Sequence, residues 1–548
     1  MVYEKYVKET FDSAGNLIDM QYQPGENFNF AYDIVDRLAM DKPDDTALVW
    51  CNVQGDERIF TYRQMMELSN RVANYFTSLG ICKGDKVLLV LKRHHEWWYA
   101  MLALHKIGAV CIPATNLLTP KDLIYRFQAA DIKMVVCTNE GDVASYIDQV
   151  QDKCPTLTTK VMVREDRTGW ESFDKGLANA SGCWQRPTGQ NDPKTEDIML
   201  LYFTSGTTGM PKMVAHDFSY PLGHIITGRY WQQVQPGGLH LTVADTGWGK
   251  AVWGKFYGQW TCETAIFVYD FDKFVPADLL GIVSKYKITT FCAPPTIFRF
   301  FIQEDIAKYD LSSLTHVSIA GEALNPEIFE KFKEATGLEM MEGFGQTETT
   351  ATVATIKGMK AKPGSMGRPS PGYDVDIVDD AGNSVDSGVV GEIVVLTDKK
   401  TTGVFVGYLK DEEKTKSVWY DDVYHTGDLA WRDEDGYYWY VGRKDDIIKS
   451  SGYRIGPFEV ENVLMEHPAI VECAVTGAPD PIRGQVIKAT IVLAAGYEAS
   501  EELKKEIQNY VKKNTAPYKY PRIVDFVTEL PKTISGKIRR VEIRGEDK

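Results

Sequence analysis

Between Thr61 and Cys137 the chain alternates two kinds of apolar pattern, and that alternation limits the folds open to it. Met65, Leu68, Val72 and Phe76 fall at helical spacing along Thr61–Leu79, a stripe that buries one face of a helix. Gly80 closes it, because a helix end favours a residue that tolerates left-handed backbone. After a Lys83-Gly84-Asp85 turn, Lys86–Leu91 is almost wholly apolar, as a strand covered on both faces must be. The spacing then predicts a helix over Trp98–Ile107, a strand over Ala109–Ile112, a helix over Lys121–Ala130 and a strand over Met134–Cys137. Such alternation builds parallel-type α/β layers.

With 548 residues a single core is not enough. The expected fold class is α/β: a large N-terminal domain of several layered α/β sheets, followed by a small α+β domain. Residues 1 to about 30 are polar and aromatic and are expected to wrap the first domain. Phe30–Ala39 reads as a helix and Thr46–Trp50 as a strand, whereas residues 150–195 show little periodicity and read as a surface excursion. Thr289–Ala293 and Val317–Ala320 are short strands. Charged residues bunch at Lys444/Asp445, which places the boundary between domains 1–443 and 444–548. The second domain reads as a helix over Pro457–Glu466, strands over Ile470–Thr476, Ile487–Leu493 and Arg522–Phe526, and a helix over Ser500–Asn514.

Composition excludes several function classes. A net charge of −15 opposes nonspecific nucleic-acid binding. The nine cysteines and nine histidines form no C-x-x-C, H-x-x-x-H or H-E-x-x-H spacing, so neither a zinc site nor a disulfide framework is indicated; His94-His95 reads as packing or surface. No apolar run is long enough for a membrane span, and the N-terminus lacks a signal-peptide core. The expected location is cytoplasmic.

Chemistry concentrates in four stretches. Met199–Phe203 is an apolar strand approach to Thr204, Ser205, Gly206, Thr207, Thr208, Gly209, Met210, Pro211 and Lys212. Glycines let backbone N–H groups close on a phosphate, hydroxyls add donors and Lys212 adds charge. A Walker loop requires G-x-x-x-x-G-K-[ST]; here proline precedes the lysine and Met213 follows it, so the cradle is of another kind. The second stretch is Glu342, Gly343, Phe344, Gly345, Gln346, Thr347, Glu348. Phe344 can stack on a base, Thr347 can reach a phosphate, and Glu348 offers the hard oxygen that Mg²⁺ takes when it also holds phosphates, although a lone loop glutamate is usually solvated. The third is His425-Thr426-Gly427-Asp428 with Val441-Gly442-Arg443; a carboxylate in a glycine turn can accept ribose hydroxyls. The fourth, Pro531-Lys532-Thr533-Ile534-Ser535-Gly536-Lys537, is basic, and basic C-terminal runs are more often solvated than catalytic.

Taken in order, these stretches resemble the adenylate-forming superfamily of acyl-CoA synthetases, luciferases and peptide-synthetase adenylation domains. The string from Lys449 to Asn462 and Asp480-Pro481-Ile482-Arg483-Gly484 are similar to medium-chain acyl-CoA synthetases. The resemblance implies ATP, Mg²⁺ and CoA as cofactor and co-substrates, and a mobile C-terminal lid. It implies Lys537 and Glu348 as catalytic, the latter as the metal ligand. It assigns ATP to Thr204 through Gly209, Lys212, the Gly321-Glu322-Ala323 segment, Glu342–Phe344, Gln346, Thr347, Asp428, Arg443 and Arg454. CoA falls to Ser450, Ser451, Gly452, Tyr453 and Arg483, the hinge to Lys444 and Asp445, and the acyl pocket to Trp248 and Gly345. Acetyl-CoA synthetases carry tryptophan at the position of Gly345, so this pocket is expected to admit more than acetate.

The expected function is therefore an AMP-forming acyl-CoA synthetase for a short- to medium-chain fatty acid, branched acids included. Its partners are the acid, ATP and CoA, with no nucleic acid and no membrane span. Alternatives are an adenylating enzyme serving a carrier-protein thiol or an amine, an aryl-CoA ligase, and a noncatalytic acyl-adenylate or nucleotide sensor.

Overall fold

A computed structural model describes residues 1–204, 210–321, 324–397, 401–451, 453–532 and 538–545. An eight-stranded sheet holds the predicted parallel core: Lys86–Val90 lies between Val110–Pro113 and Ile132–Thr138, and Ile198–Thr204 joins beside Val110–Pro113. The helix Tyr62–Ser78 starts on a capping box at Thr61 and Gln64, which satisfies two of its free N–H groups.

A second, 14-stranded sheet runs from Thr46–Asn52 through Ala265–Asp270, Leu239–Thr242, Thr290–Ala293 and His316–Ile319 to Met340–Phe344 in parallel. Beyond Met340–Phe344 the pairing turns antiparallel, through Val353–Ala354, Ser365–Pro369, Tyr438–Arg443 and Val423–Arg432. The strand carrying Glu342 to Phe344 is thus the junction of two architectures in one sheet.

The helix Glu96–Ile107 is buried at every residue. Two of its side chains are ionic, and buried charge persists only when paired. Glu96 takes two hydrogen bonds from the Arg164 guanidinium at 2.9 and 3.0 Å. Lys106 donates to Asp36 at 2.8 Å and to Asn70 at 2.6 Å. His94 is a packing residue: its ring lies 3.1 Å from Asp270 and 2.9 Å from Thr138.

The reading of residues 150–195 as a surface excursion needs correction. Thr159–Val163 and Glu171–Ser172 extend the eight-stranded sheet, and the helix Phe173–Asn179 buries Phe173. Val161-Met162-Val163 is too short a run to register as a period, and an edge strand carries weak patterning. Near the N-terminus, Val7–Phe11 and Leu17–Tyr22 form a two-stranded antiparallel sheet.

The C-terminal domain has its own five-stranded sheet, built on the hairpin Ile470–Asp480 and Gly484–Leu493, with Ile523–Val527 parallel to the latter. Its separate core includes Ile448, Val460, Leu464, Val475, Ile491 and Ile507. No helix among the described residues is long and apolar enough to cross a membrane.

Two glycines set a close crossing in the large domain. A Cβ on Gly258, in the helix Tyr257–Thr261, would stand 2.6 Å from the His224 carbonyl oxygen and 3.1 Å from Gly228 Cα. Backbone cannot retreat as a flexible side chain can, so Gly258→Ala should lower the thermal midpoint, at a cost of roughly 1–3 kcal/mol. An unchanged midpoint in differential scanning calorimetry would show that the crossing has slack.

Candidate active site

The phosphate-loop strand ends at Thr204, and the return strand begins at Lys212 directly opposite it. Ser205, Gly206, Thr207, Thr208 and Gly209 lie outside the described residues, but the pairing brings both ends of the cradle together. The Lys212 ammonium stands 4.9 Å over the Tyr408 ring. Burial lowers its pKa, with Glu348 opposing and Arg443 reinforcing that shift. Glu348 accepts a hydrogen bond from the Tyr408 hydroxyl at 2.9 Å. Lys212, Glu348 and Arg443 therefore share one electrostatic neighbourhood.

Asp428 is reached through a backbone irregularity. The register between Gly391–Leu396 and Val423–Arg432 shifts at Glu392/Val394, and Gly427 sits at φ 71°. Such a bulge re-aims the following side chain, and glycine adopts that backbone without strain. A Cβ on Gly427 would also come within 3.1 Å of the Arg443 guanidinium. Asp428 pairs across the sheet with Arg443, the two charged groups being 3.6 Å apart. Its carboxylate accepts from the Gln346 amide at 2.5 Å and the Tyr440 hydroxyl at 3.0 Å. Gln346 in turn accepts from the Tyr424 hydroxyl at 2.6 Å. Burial would depress the Arg443 pKa, but Asp428, Asp445, Tyr440 and Glu348 outweigh it and the net shift is upward.

The junction strand supplies the rest. Phe344 packs near Tyr440, their ring centres 6.3 Å apart. Gly343 leaves room for Trp231, whose ring would lie 2.6 Å from a Cβ there. Glu342 is 5% exposed, and one of its carboxyl oxygens has no partner among the described residues. Burial pushes its pKa up to about 8, against a bond from the Leu324 N–H. Leu324 follows Glu322 and Ala323, which are outside the described residues. Gly321 has φ 106°, and beside it Lys250 donates to the Ala320 carbonyl at 2.7 Å.

Gly345 packs against Trp253. A Cβ on Gly345 would meet the Thr350 carbonyl at 2.1 Å and the Trp253 ring at 2.4 Å. The space left by the missing tryptophan at 345 is thus filled by a ring from the helix Gly249–Lys255. Half-buried Trp248 precedes that helix, and His216 donates to the Thr347 carbonyl at 2.8 Å.

The C-terminal residues do not all gather here. Arg454 pairs with Asp380 at 3.1 Å on an exposed hairpin rather than with the Asp428 cluster. Lys444 contacts Glu392 at 3.1 Å and Asp380 at 3.3 Å, while Asp445 lies 3.5 Å from Arg443. Ser450 is buried. Ser451 is exposed, and its N–H donates to the Arg483 carbonyl at 3.0 Å. Tyr453 stacks on Tyr518 at 4.0 Å between ring centres, both half exposed. Gly452 and Lys537 lie outside the described residues. Sequence reasoning missed Tyr408, Tyr424, Tyr440 and Trp253.

The protein resembles known enzymes over nearly its whole length. Residues 35–409 match the AMP-binding enzyme family and residues 459–537 the AMP-binding enzyme C-terminal domain. Acyl-coenzyme A synthetase ACSM3, mitochondrial, of Homo sapiens is 43% identical over 536 residues, 95% of this chain and 90% of that protein. Acyl-coenzyme A synthetase ACSM4, mitochondrial, of Rattus norvegicus is 44% identical, covering 95% and 91%. Among solved structures, the anthranilate CoA ligase AuaEII with anthranoyl-AMP matches at TM-score 0.86 and 30% identity, covering 95% of this chain and 97% of that one. An acyl-CoA synthetase from Brucella canis matches at 0.71 and 30%, covering 96% and 95%. The mitochondrial names of these relatives overturn the cytoplasmic expectation.

Glu342 yields a pH-dependent prediction. A glutamate ordinarily titrates at 4.5, and here the folded state holds its proton to about 8. Across that window the folded state binds more protons than the unfolded one, so stability falls as pH rises and levels off above it. Glu342→Gln keeps the shape and removes the titration. Relative to wild type, the variant's thermal midpoint should therefore rise from pH 5 to pH 8 by the equivalent of about 1 to 4 kcal/mol. A constant difference across that range would mean the carboxyl is already ionised in the fold.

Proposed function

The chain belongs to the AMP-binding enzymes, and on that premise we infer that it is an AMP-forming acyl-CoA synthetase. It joins a carboxylic acid to ATP as an acyl-adenylate and then transfers the acyl group to the thiol of CoA. The carrying observation is the convergence of Lys212, Glu348, Asp428 and Arg443 from both large sheets.

In the first half-reaction an acid carboxylate attacks the α-phosphorus, and the bond to pyrophosphate breaks. Two anions must meet, so positioning and charge neutralisation do most of the work. The loop from Thr204 to Gly209 and Lys212 holds the β- and γ-phosphates. The Asp428 carboxylate, with two acceptor oxygens, takes the ribose hydroxyls. Arg443 steadies Asp428, and Phe344 and Glu342 border the base. Lys537 supplies a compact charge between acyl and α-phosphate oxygens.

The donor set suits Mg²⁺. Among the described residues no three His, Cys, Asp or Glu side chains cluster, and Mg²⁺ is commonly held by one or two carboxylates plus substrate phosphates. Glu348 is that carboxylate, oriented by Tyr408. When bound, the ion neutralises phosphate charge.

In the second half-reaction the thiol loses its proton, its sulfur attacks the acyl carbon and AMP departs. The division at 443/444, with Lys444 and Asp445 as hinge, lets the small domain turn between the two steps. The exposed pairs that Lys444 and Arg454 make with Asp380 are weak enough to exchange. Ser450–Tyr453 and Arg483 form the CoA side, where the exposed Tyr453–Tyr518 stack offers a face to a base.

Trp253 favours a short- to medium-chain acid, branched acids included. A second reading, an aryl acid, is favoured by the aromatic lining of Trp248 and Trp253 and by the likeness to the anthranilate ligase.

AMP release from acids of two to twelve carbons, with branched and aryl members and with or without CoA, tests the assignment. Turnover that depends on CoA is expected, whereas equal release without it would point to another acceptor. Trp253→Gly should raise kcat/KM for eight-carbon and longer acids by about tenfold; an unaltered profile would remove Trp253 from the pocket. Lys537→Ala should depress ATP–pyrophosphate exchange by roughly a hundredfold or more while sparing thioester formation from supplied acyl-adenylate. Equal loss in both steps would refute its role.

A further inference from the structure

Lys255 is a buried cation with no part in the chemistry described above. It is 2% exposed, at the C-terminal end of the helix Gly249–Lys255. Its ammonium turns back to donate to the Ala244 carbonyl at 2.7 Å, and its own carbonyl accepts from the Trp98 indole at 2.8 Å. Burying an ammonium costs several kcal/mol unless opposite charge and hydrogen bonds compensate it. One backbone hydrogen bond is a poor reason to keep it there.

The segment it grips supplies a better one. Ala244 opens the turn that ends at Trp248. Thr246 hydrogen-bonds the Lys92 carbonyl. The Gly247 N–H donates to Asp245 at 2.9 Å, and a Cβ on Gly247 would lie 2.3 Å from the Thr115 N–H nitrogen. The middle of the turn is therefore fixed against neighbouring strand ends, while Lys255 holds its entrance. That one bond also closes the turn and its following helix into a single unit carrying Trp248, Lys250 and Trp253.

Charged and titratable groups face Lys255 from every side. Arg93 approaches from the loop before Glu96–Ile107, Asp245 from the turn itself, Asp270 from the end of Ala265–Asp270, and His240 from Leu239–Thr242. His240 is buried, and burial lowers its pKa to about 3, so it stays neutral. Asp270 is tied to His94.

We propose that Lys255 is a positioning residue for the acid: in its charged form it braces the Ala244–Trp248 turn and thereby sets where Trp248 and Trp253 stand around the acyl group. Burial, with Arg93 adding to it, brings the Lys255 pKa down to about 7, against Asp245 and Asp270. Near neutral pH the ammonium thus begins to give up its proton. The Ala244 bond loses its charge assistance, and two carboxylates lose a counter-cation. The acid site loosens as pH rises, whereas any pH response of the ATP site follows Glu342 beside the base and not Lys255.

This rests on the acyl-CoA synthetase reading, and ATP–pyrophosphate exchange without CoA separates the two. Wild-type exchange is measured from about pH 6 to about pH 9, varying acid and ATP in turn. The KM for the acid should rise about tenfold across that range with kcat nearly constant, and Lys255→Met should not alter the pH profile of the KM for ATP. Lys255→Met should show the raised acid KM at every pH, and Lys255→Arg, permanently charged, should show no pH-dependent rise. If Lys255→Met retains the wild-type acid KM and pH profile, the proposal is overturned. Should that variant fail to fold, a wild-type profile without the rise, or one that Lys255→Arg leaves intact, overturns it equally. Failure of wild-type exchange with every acid would instead defeat the enzymatic assignment.

Discussion

A nucleotide triphosphate and a carboxylate repel each other, and a protein of net charge −15 adds to the repulsion unless positive charge is fixed where they meet. The architecture answers that constraint. Lys212 belongs to the eight-stranded sheet and Arg443 to the antiparallel part of the fourteen-stranded one, yet both lie within electrostatic reach of Glu348. Each cation is held by its surroundings, Lys212 over an aromatic face and Arg443 beside Asp428. Held charge acts more strongly on an incoming anion than charge on a freely moving chain, because no reorganisation is needed when it arrives.

The convergence follows from topology. In open parallel sheets the carboxyl ends of strands gather on one edge, and ligands bind there. Thr204, Ala320 and Phe344 stand at or just past such ends. The strand Met340–Phe344 then hands the sheet over to antiparallel pairing, and this brings Asp428 and Arg443 to the same edge. A glycine in the bulge at 427 turns the aspartate toward the site. The proposed acid side rests on a different element, the turn from Ala244 and the helix after it, so in the proposed reading nucleotide and acid fall to separable parts.

Much of this was legible in the sequence. The parallel layers could be read from Lys86–Leu91 and its flanking helices because strands buried on both faces leave an apolar signature. The strand approach to Thr204 could be read because it is apolar and aromatic. Tyr424 and Tyr440 could not. The bulge around Gly427 breaks the alternation of the strand that holds Tyr424 and Asp428; the partner of Tyr424, Gln346, lies about 80 residues away in sequence, and Tyr440 reaches Asp428 from the next strand. Trp253 was hidden for a related reason: a tryptophan in an apolar helix looks like core until a glycine 92 positions later is seen to accommodate it. Arg454 carries the charge of a nucleotide ligand, but only the fold reveals that it is engaged with Asp380.

The helix Glu96–Ile107 has a consequence for how the protein is made. Its glutamate is matched by an arginine 68 residues later, and the early strand Thr46–Asn52 pairs with Ala265–Asp270, more than 200 residues further on. A nascent chain emerging from the ribosome therefore cannot complete its first layer alone. Half-made, it presents a helix whose Glu96 still lacks Arg164 and a strand, Thr46–Asn52, paired with Glu57–Thr61 along one edge only. The large domain must be synthesised through Asp270 before the other edge of that strand is covered.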